Sequence, residues 1–126
     1  FDTYLGDDRQ RIAEALSEQL PRIDGLFSPN GTNSRATLAA LRQLGKAGTV
    51  DFVGFDGGEL LFDAVRQGQI HALLLQQPQA MGDHAVRLVH RALSGERAIP
   101  RLQLLLEPRV MTARELADMT APQQPW

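Results

Sequence analysis

Residues 23–58 read IDGLFSPN, then GTNSRATLAALRQLGKAGTV, then DFVGFDGG, and these three pieces decide the fold. Ile23 to Phe27 is a short apolar run closed by Ser28-Pro29-Asn30-Gly31, a turn cluster. It reads as a buried strand. Thr32, Asn33 or Ser34 can then cap a helix that carries Leu38, Leu41 and Leu44 and ends near Gly45. Val50 to Phe55 is a second strand, closed by Asp56-Gly57-Gly58. Both strands are continuous apolar runs rather than alternating ones, as expected where helices cover both faces of a parallel sheet.

The same alternation extends in both directions. Upstream, Arg9 to Leu20 places Ile12, Ala13, Leu16 and Leu20 on one helical stripe, and Pro21 ends it. Downstream, Glu59 to Gln67 is a helix with Leu60, Leu61, Ala64 and Val65 inward and Gly68 just past its end. Ile70 to Leu75 is a third strand. Pro78 suits a first helical position, and Met81, Ala85, Leu88, Val89, Ala92 and Leu93 follow with a 3.6-residue period until Gly95. Leu102 to Leu106 reads as a fourth strand, Arg109 to Thr112 as a candidate fifth, and Ala113 to Met119 as a last short helix. Helix and strand in strict alternation predict an α/β fold, a parallel sheet in a three-layer α/β/α arrangement with right-handed crossovers.

Composition narrows the chemistry. The 126 residues suit one domain, and 43% hydrophobic with 22% charged is ordinary for a globular chain. There is no cysteine, which excludes disulfides, thiolate metal sites and cysteine nucleophiles. A net charge of −2 without a basic cluster argues against a nucleic-acid surface. No apolar run approaches the ~20 residues of a membrane-spanning helix. His71, His84 and His90 lack metal-ligand spacing, and phosphate-loop, dinucleotide and nucleophile-elbow motifs are missing. No catalytic residue, metal site or cofactor is therefore assigned.

In open parallel sheets, ligands bind outside the carboxyl ends of the strands. Asn30 follows the first strand, Asp56 the second and Gln76 the third. An ionised Asp56 accepts two hydroxyl donors, while Asn30 and Gln76 each both donate and accept. Such a trio suits a polyhydroxylated ligand, and Tyr4 is the candidate ring for a sugar's C–H face. Each residue also has a plainer reading. Asn30-Gly31 and Asp56-Gly57 are good turn pairs, Asp56 suits capping of the helix near Glu59, and Gln76 suits a solvated spacer.

Beyond these residues, Ile23 to Asn30, Ala36 to Gly45, Val53-Gly54-Phe55-Asp56-Gly57, Val65 to Ala72, Gln76 to Gly82 and Leu93-Ser94-Gly95-Glu96 carry a family resemblance. From Arg11 to Thr112 the chain resembles the C-terminal part of a type I periplasmic sugar-binding protein, of the ribose-binding group of ABC-transporter receptors. The resemblance implies a lobe of a periplasmic-binding-protein-like fold, incomplete because the first lobe is absent. It also implies a non-catalytic role, a monosaccharide or related polyol as ligand, and a membrane permease as partner. By the same resemblance the compartment is periplasmic, and Asn30, Asp56, Gln76 and Tyr4 are ligand contacts. Gly31 stands where the family usually has Asp, and Thr32 and Asn33 also depart from its pattern. The effector-sensing domain of a lactose-repressor-type regulator is the alternative. The expected organisation is a loose lead-in at 1–8, the lobe at 9–120, and a disordered tail at 121–126. The segment near 78–106 would cross to the missing lobe. Phe1 then reads as a break inside a larger protein. The Met81–Leu93 helix face would lack its usual cover and invite a homodimer.

Overall fold

A computed structural model describes residues 2–95 and 105–119, with side chains from residue 9 onward. The chain runs α1 (Asp2–Gln19), a short 3-10 turn (Leu20–Arg22), β1 (Gly25–Phe27) and α2 (Gly31–Gln43). It continues with β2 (Asp51–Phe55), α3 (Glu59–Arg66), β3 (Ala72–Leu75) and α4 (Pro78–Leu93), then β4 (Arg109–Met111) and α5 (Ala113–Asp118). As far as α4, the alternation read from the sequence is the observed element order. The class is α/β, with a mainly parallel sheet in the order β1-β2-β3-β4.

Several boundaries differ from expectation, each for a physical reason. α1 starts at Asp2, so residues 2–8, expected as a loose lead-in, continue the helix. Helix extension adds one hydrogen bond per residue once a nucleus exists, and no proline interrupts this stretch. The apolar stripe marks only the part that packs. The cap of α2 is Asn30, rather than Thr32, Asn33 or Ser34. Asn30 is extended (φ −157°), and its side-chain oxygen accepts the N–H of Asn33 at 2.8 Å. Arg109–Met111, the candidate fifth strand, is the fourth strand among the described residues and pairs antiparallel with β3, so the sheet is not purely parallel. Residues 105–108 have no regular structure, and 102–104 of the strand expected at Leu102–Leu106 lie outside the described residues. The tail at 121–126 also lies outside them.

The register separates two sheet faces. Leu26 pairs with Phe52, Gly54 with Leu73, and Leu73 with Met111. Phe52, Leu73, Leu75 and Met111 are buried together with Leu16 of α1, Leu38 and Leu41 of α2, Leu61 and Val65 of α3 and Leu116 of α5. This is one core on one face. The opposite face carries Phe27, Val53, Phe55, Leu74 and Val110, as strand alternation requires. There Phe27 is 58% and Val110 53% exposed. The second helical layer expected from the apolar strands is thus not seen among the described residues. The reason is topological. β1 to β2 to β3 steps across the sheet in one direction, and right-handed crossovers taken in one direction put α2 and α3 on the same side.

α4 has the apolar period expected of it, but none of its residues is buried. Met81, Val86, Val89 and Leu93 are all at least half exposed. Gln77, just before it, donates from Nε2 to the carbonyl of Glu107 at 2.8 Å, which ties the start of α4 to the approach to β4.

Candidate functional site

The parallel strands end on a common edge, and the segments leaving that edge converge. Asp56, directly after β2, has φ +63°, a left-handed conformation that costs an L-residue roughly 1–2 kcal/mol. Two hydrogen bonds to its carboxylate offset that strain. The backbone N–H of Gly31 donates to Oδ2 at 3.1 Å, and Nε2 of Gln76 donates to Oδ1 at 2.8 Å. Bonds to a charged group contribute ~1.5–3 kcal/mol each, so the pair outweighs the strain. Asp56 does not cap α3, whose N-cap is Gly58 in a conformation (φ +133°) suited to glycine, with no side-chain cap bond.

The turn after β1 is held just as closely. Ser34 is fully buried, and its Oγ donates to the carbonyl of Asn30 and accepts the N–H of Phe55, both at 2.8 Å. It thereby fixes the start of α2 against the end of β2. Buried Ser28 and Thr37 share a hydroxyl–hydroxyl hydrogen bond at 3.2 Å on the same side. The tightness of this corner explains Gly31. A Cβ there would lie 2.9 Å from Oδ2 of Asp56, closer than real Cβ atoms approach, and 3.1 Å from its Cβ, tighter than most such contacts. Glycine lets the helix reach the carboxylate without displacing it.

Of the four residues expected to form a site, three meet at this edge. Gln76 is bonded to Asp56, Asp56 is bonded to Gly31, and Gly31 adjoins Asn30. Asn30 spends its side-chain oxygen on the α2 cap, which leaves its amide NH2 as the outward-facing chemistry. Tyr4 lies on α1, and its side chain is outside the described residues. Asp56 and Gln76 border an open hollow of about 540 Å³, lined also by Gly57, Gly58, Leu75, Pro78 and Met81. Polar groups that donate and accept beside an apolar wall match the common make-up of small-ligand sites.

The sequence offers Arg35 and Arg66 either as partners for an anionic ligand or, more simply, as solvated helix residues, and it does not single out Ser34 or Gly31 for the site. The roles of Ser34 and Gly31 depend on contacts with β2 some twenty residues away, and nothing in their local pattern signals them. Among the described residues, no group of three or more His, Asp or Glu side chains could hold a metal ion. His71 is an exposed surface residue, its Nδ1 3.5 Å from Oδ1 of Asp51.

Known proteins resemble this chain over most of its length. Residues 3–97 match the family model described as periplasmic binding protein domain. The ribose import binding protein of Salmonella typhimurium is 32% identical over 86 residues, which are 68% of this chain and 29% of that protein. The D-apiose import binding protein of Paraburkholderia graminis is 29% identical over 96 residues, 75% of this chain and 30% of that protein. The chain therefore spans less than a third of the length of these relatives. Among solved structures, the periplasmic component of an ABC-type sugar transport system from Hahella chejuensis is 34% identical, with a TM-score of 0.71. That match covers 85% of this chain and 37% of the other. A solute-binding protein from Agrobacterium vitis, bound with α-D-tagatopyranose, superposes with a TM-score of 0.80 at 21% identity, over 90% of this chain and 37% of that one, a likeness of fold. With a family match over residues 3–97 and a fold like that of these structures, the chain belongs to the periplasmic binding protein family, alongside the type I sugar-binding proteins.

Proposed function

We propose that this chain forms one wall of the ligand cleft in a sugar-capturing receptor of an ABC importer. The role is non-catalytic, and the compartment is the periplasm. The observation that carries this reading is the convergence of Asp56, Gln76 and the Asn30–Gly31 turn on one sheet edge, above an apolar hollow. Each oxygen of Asp56 holds one internal hydrogen bond and keeps a lone pair for a ligand hydroxyl. Gln76 keeps its Oε1 and one N–H, and Asn30 its NH2. Together they recognise a monosaccharide or polyol, whose hydroxyls both donate and accept. Tyr4 is assigned the stacking role on the strength of the sequence resemblance. The import proteins named above supply the transport context, and a membrane permease is the partner that context implies.

Affinity arithmetic says that one wall is not enough. Three hydrogen-bonding side chains at ~1–3 kcal/mol each, less the cost of immobilising the ligand, fall short of the roughly 8 kcal/mol of a micromolar complex. A facing lobe completes the site, and closure is a population shift towards the liganded form. The test is calorimetric titration of the longest open reading frame containing this chain with pentoses, hexoses and polyols. One of them binds at about micromolar strength, and Asp56→Ala removes that binding while the melting transition persists. Failure of every sugar to bind, or undiminished affinity in Asp56→Ala, refutes the reading.

A further inference from the structure

We propose, resting on the sugar-capture reading above, that the site prefers an acidic sugar, an aldonate or a uronate, and that Arg35 supplies the preference. The observation lies in the groups that crowd Gly31. A Cβ at that position would be 2.9 Å from Oδ2 of Asp56 and 3.3 Å from Nη1 of Arg35. The close corner at Gly31 therefore brings a carboxylate and a guanidinium together. The two distances share a corner, which keeps the opposite charges within about 6 Å of each other, close enough for one small ligand to meet both.

The position of Arg35 follows from helix geometry. It lies four residues after Gly31 in α2, and helical side chains lean back over the preceding turn. Its head is thus delivered to the sheet edge. The two charged groups differ in what they have left to offer. Both oxygens of Asp56 are engaged internally, by Gly31 and Gln76. Arg35 is exposed, and among the described residues its guanidinium has neither a hydrogen bond nor an ion pair.

A hydroxyl can serve Asp56, but a ligand carboxylate is repelled by it and needs a donor fork. The guanidinium is that fork, planar and bidentate towards carboxylates. A ligand with hydroxyls along one side and a carboxylate at one end satisfies both groups. A neutral aldose leaves the guanidinium without its best match. An aspartate in place of Gly31 would set a second negative charge against that carboxylate, whereas glycine sets none.

The experiment is calorimetric titration of the protein from the longest open reading frame containing this chain, using matched pairs. These are D-glucose with D-gluconate and D-glucuronate, D-galactose with D-galacturonate, and D-ribose with D-ribonate. At least one acid binds about tenfold or more tightly than its aldose. In Arg35→Met that ratio falls to about one, because the stem remains and the fork is gone. Arg42→Met, two turns further along α2, keeps the ratio. Melting curves establish that each variant is folded, and if Arg35→Met is not, Arg35→Lys lowers the ratio about threefold or more. The proposal is overturned if every acid binds no better than its aldose, or if the Arg35 variants keep the ratio. Binding of aldoses without the acids removes this inference and leaves sugar capture intact. Binding of neither series removes both.

Discussion

The backbone N–H of Gly31 donates to Oδ2 of Asp56 at 3.1 Å, joining the first turn of α2 to the residue that ends β2. The two are 25 positions apart in the chain, and the absence of a side chain at residue 31 leaves the carboxylate undisturbed. Gly31→Ala places a Cβ 2.9 Å from that oxygen and drives the carboxylate away. The lost bond is worth ~1.5–3 kcal/mol, while the better helix propensity of alanine returns less than about 1. The variant is expected to be less stable by about 1–2 kcal/mol in urea unfolding. An unchanged or higher midpoint would show that Asp56 is not held there.

Ser34 has a similar role deeper in the corner. Its buried hydroxyl accepts the N–H of Phe55 and donates to the carbonyl of Asn30. Ser34→Ala leaves both backbone groups without that partner. Leaving a buried polar group unsatisfied costs ~1–3 kcal/mol, so the denaturation midpoint drops by a corresponding amount. A variant as stable as the parent would mean that water replaces the hydroxyl at no cost.

α5 supplies a pH-dependent contribution. The backbone N–H of Thr112 donates to Oε2 of Glu115 at 3.0 Å, and the Thr112 hydroxyl bonds the same oxygen. The side-chain bond first, then the backbone bond, hold the Glu115 carboxyl below the ordinary glutamate range. The unfolded chain therefore takes up a proton where the folded chain does not. The stabilisation is complete above the ordinary glutamate range and is lost as pH falls through the lower folded value. The melting temperature of Glu115→Ala is expected below that of the parent at neutral pH, with the gap closing in strong acid. A gap that stays constant with pH contradicts the capping box.

The exposed α4 face leads to a prediction about association. Val86 is 69%, Val89 59% and Leu93 84% exposed on a helix with no buried residue. Contiguous apolar patches of this kind mark contact surfaces. Sedimentation of the 126-residue chain is expected to show concentration-dependent self-association that Val89→Glu weakens. A monomer over the whole accessible concentration range would dispose of this expectation.

The elements of this protein were legible because each records a local demand. Ile12, Leu16, Leu38 and Leu41 repeat at helical spacing because one helix face must leave water, and Phe52 and Leu73 sit in apolar runs for the same reason in strands. The strand-ending Asn30, Asp56 and Gln76 could be named because a parallel sheet delivers its carboxyl ends to one edge. Other features depended on the path of the chain in space. The apolar strands could not say which face the helices would take, and only the one-way order β1-β2-β3 decided it. The antiparallel direction of β4 likewise followed from how the chain returns after α4, which local pattern does not encode.

The sequence alone thus determined the α/β class, the element order and the candidate ligand-facing trio, because hydrophobic period and turn chemistry are properties of neighbours along the chain. Only the tertiary structure decided that Asp56 is gripped by Gly31 and Gln76, that Ser34 ties α2 to β2, and that the Arg35 guanidinium lies beside Gly31. Those contacts join residues separated by twenty or more positions or depend on the packing of a helix against a strand end. Nothing but the folded path brings them within a few ångströms.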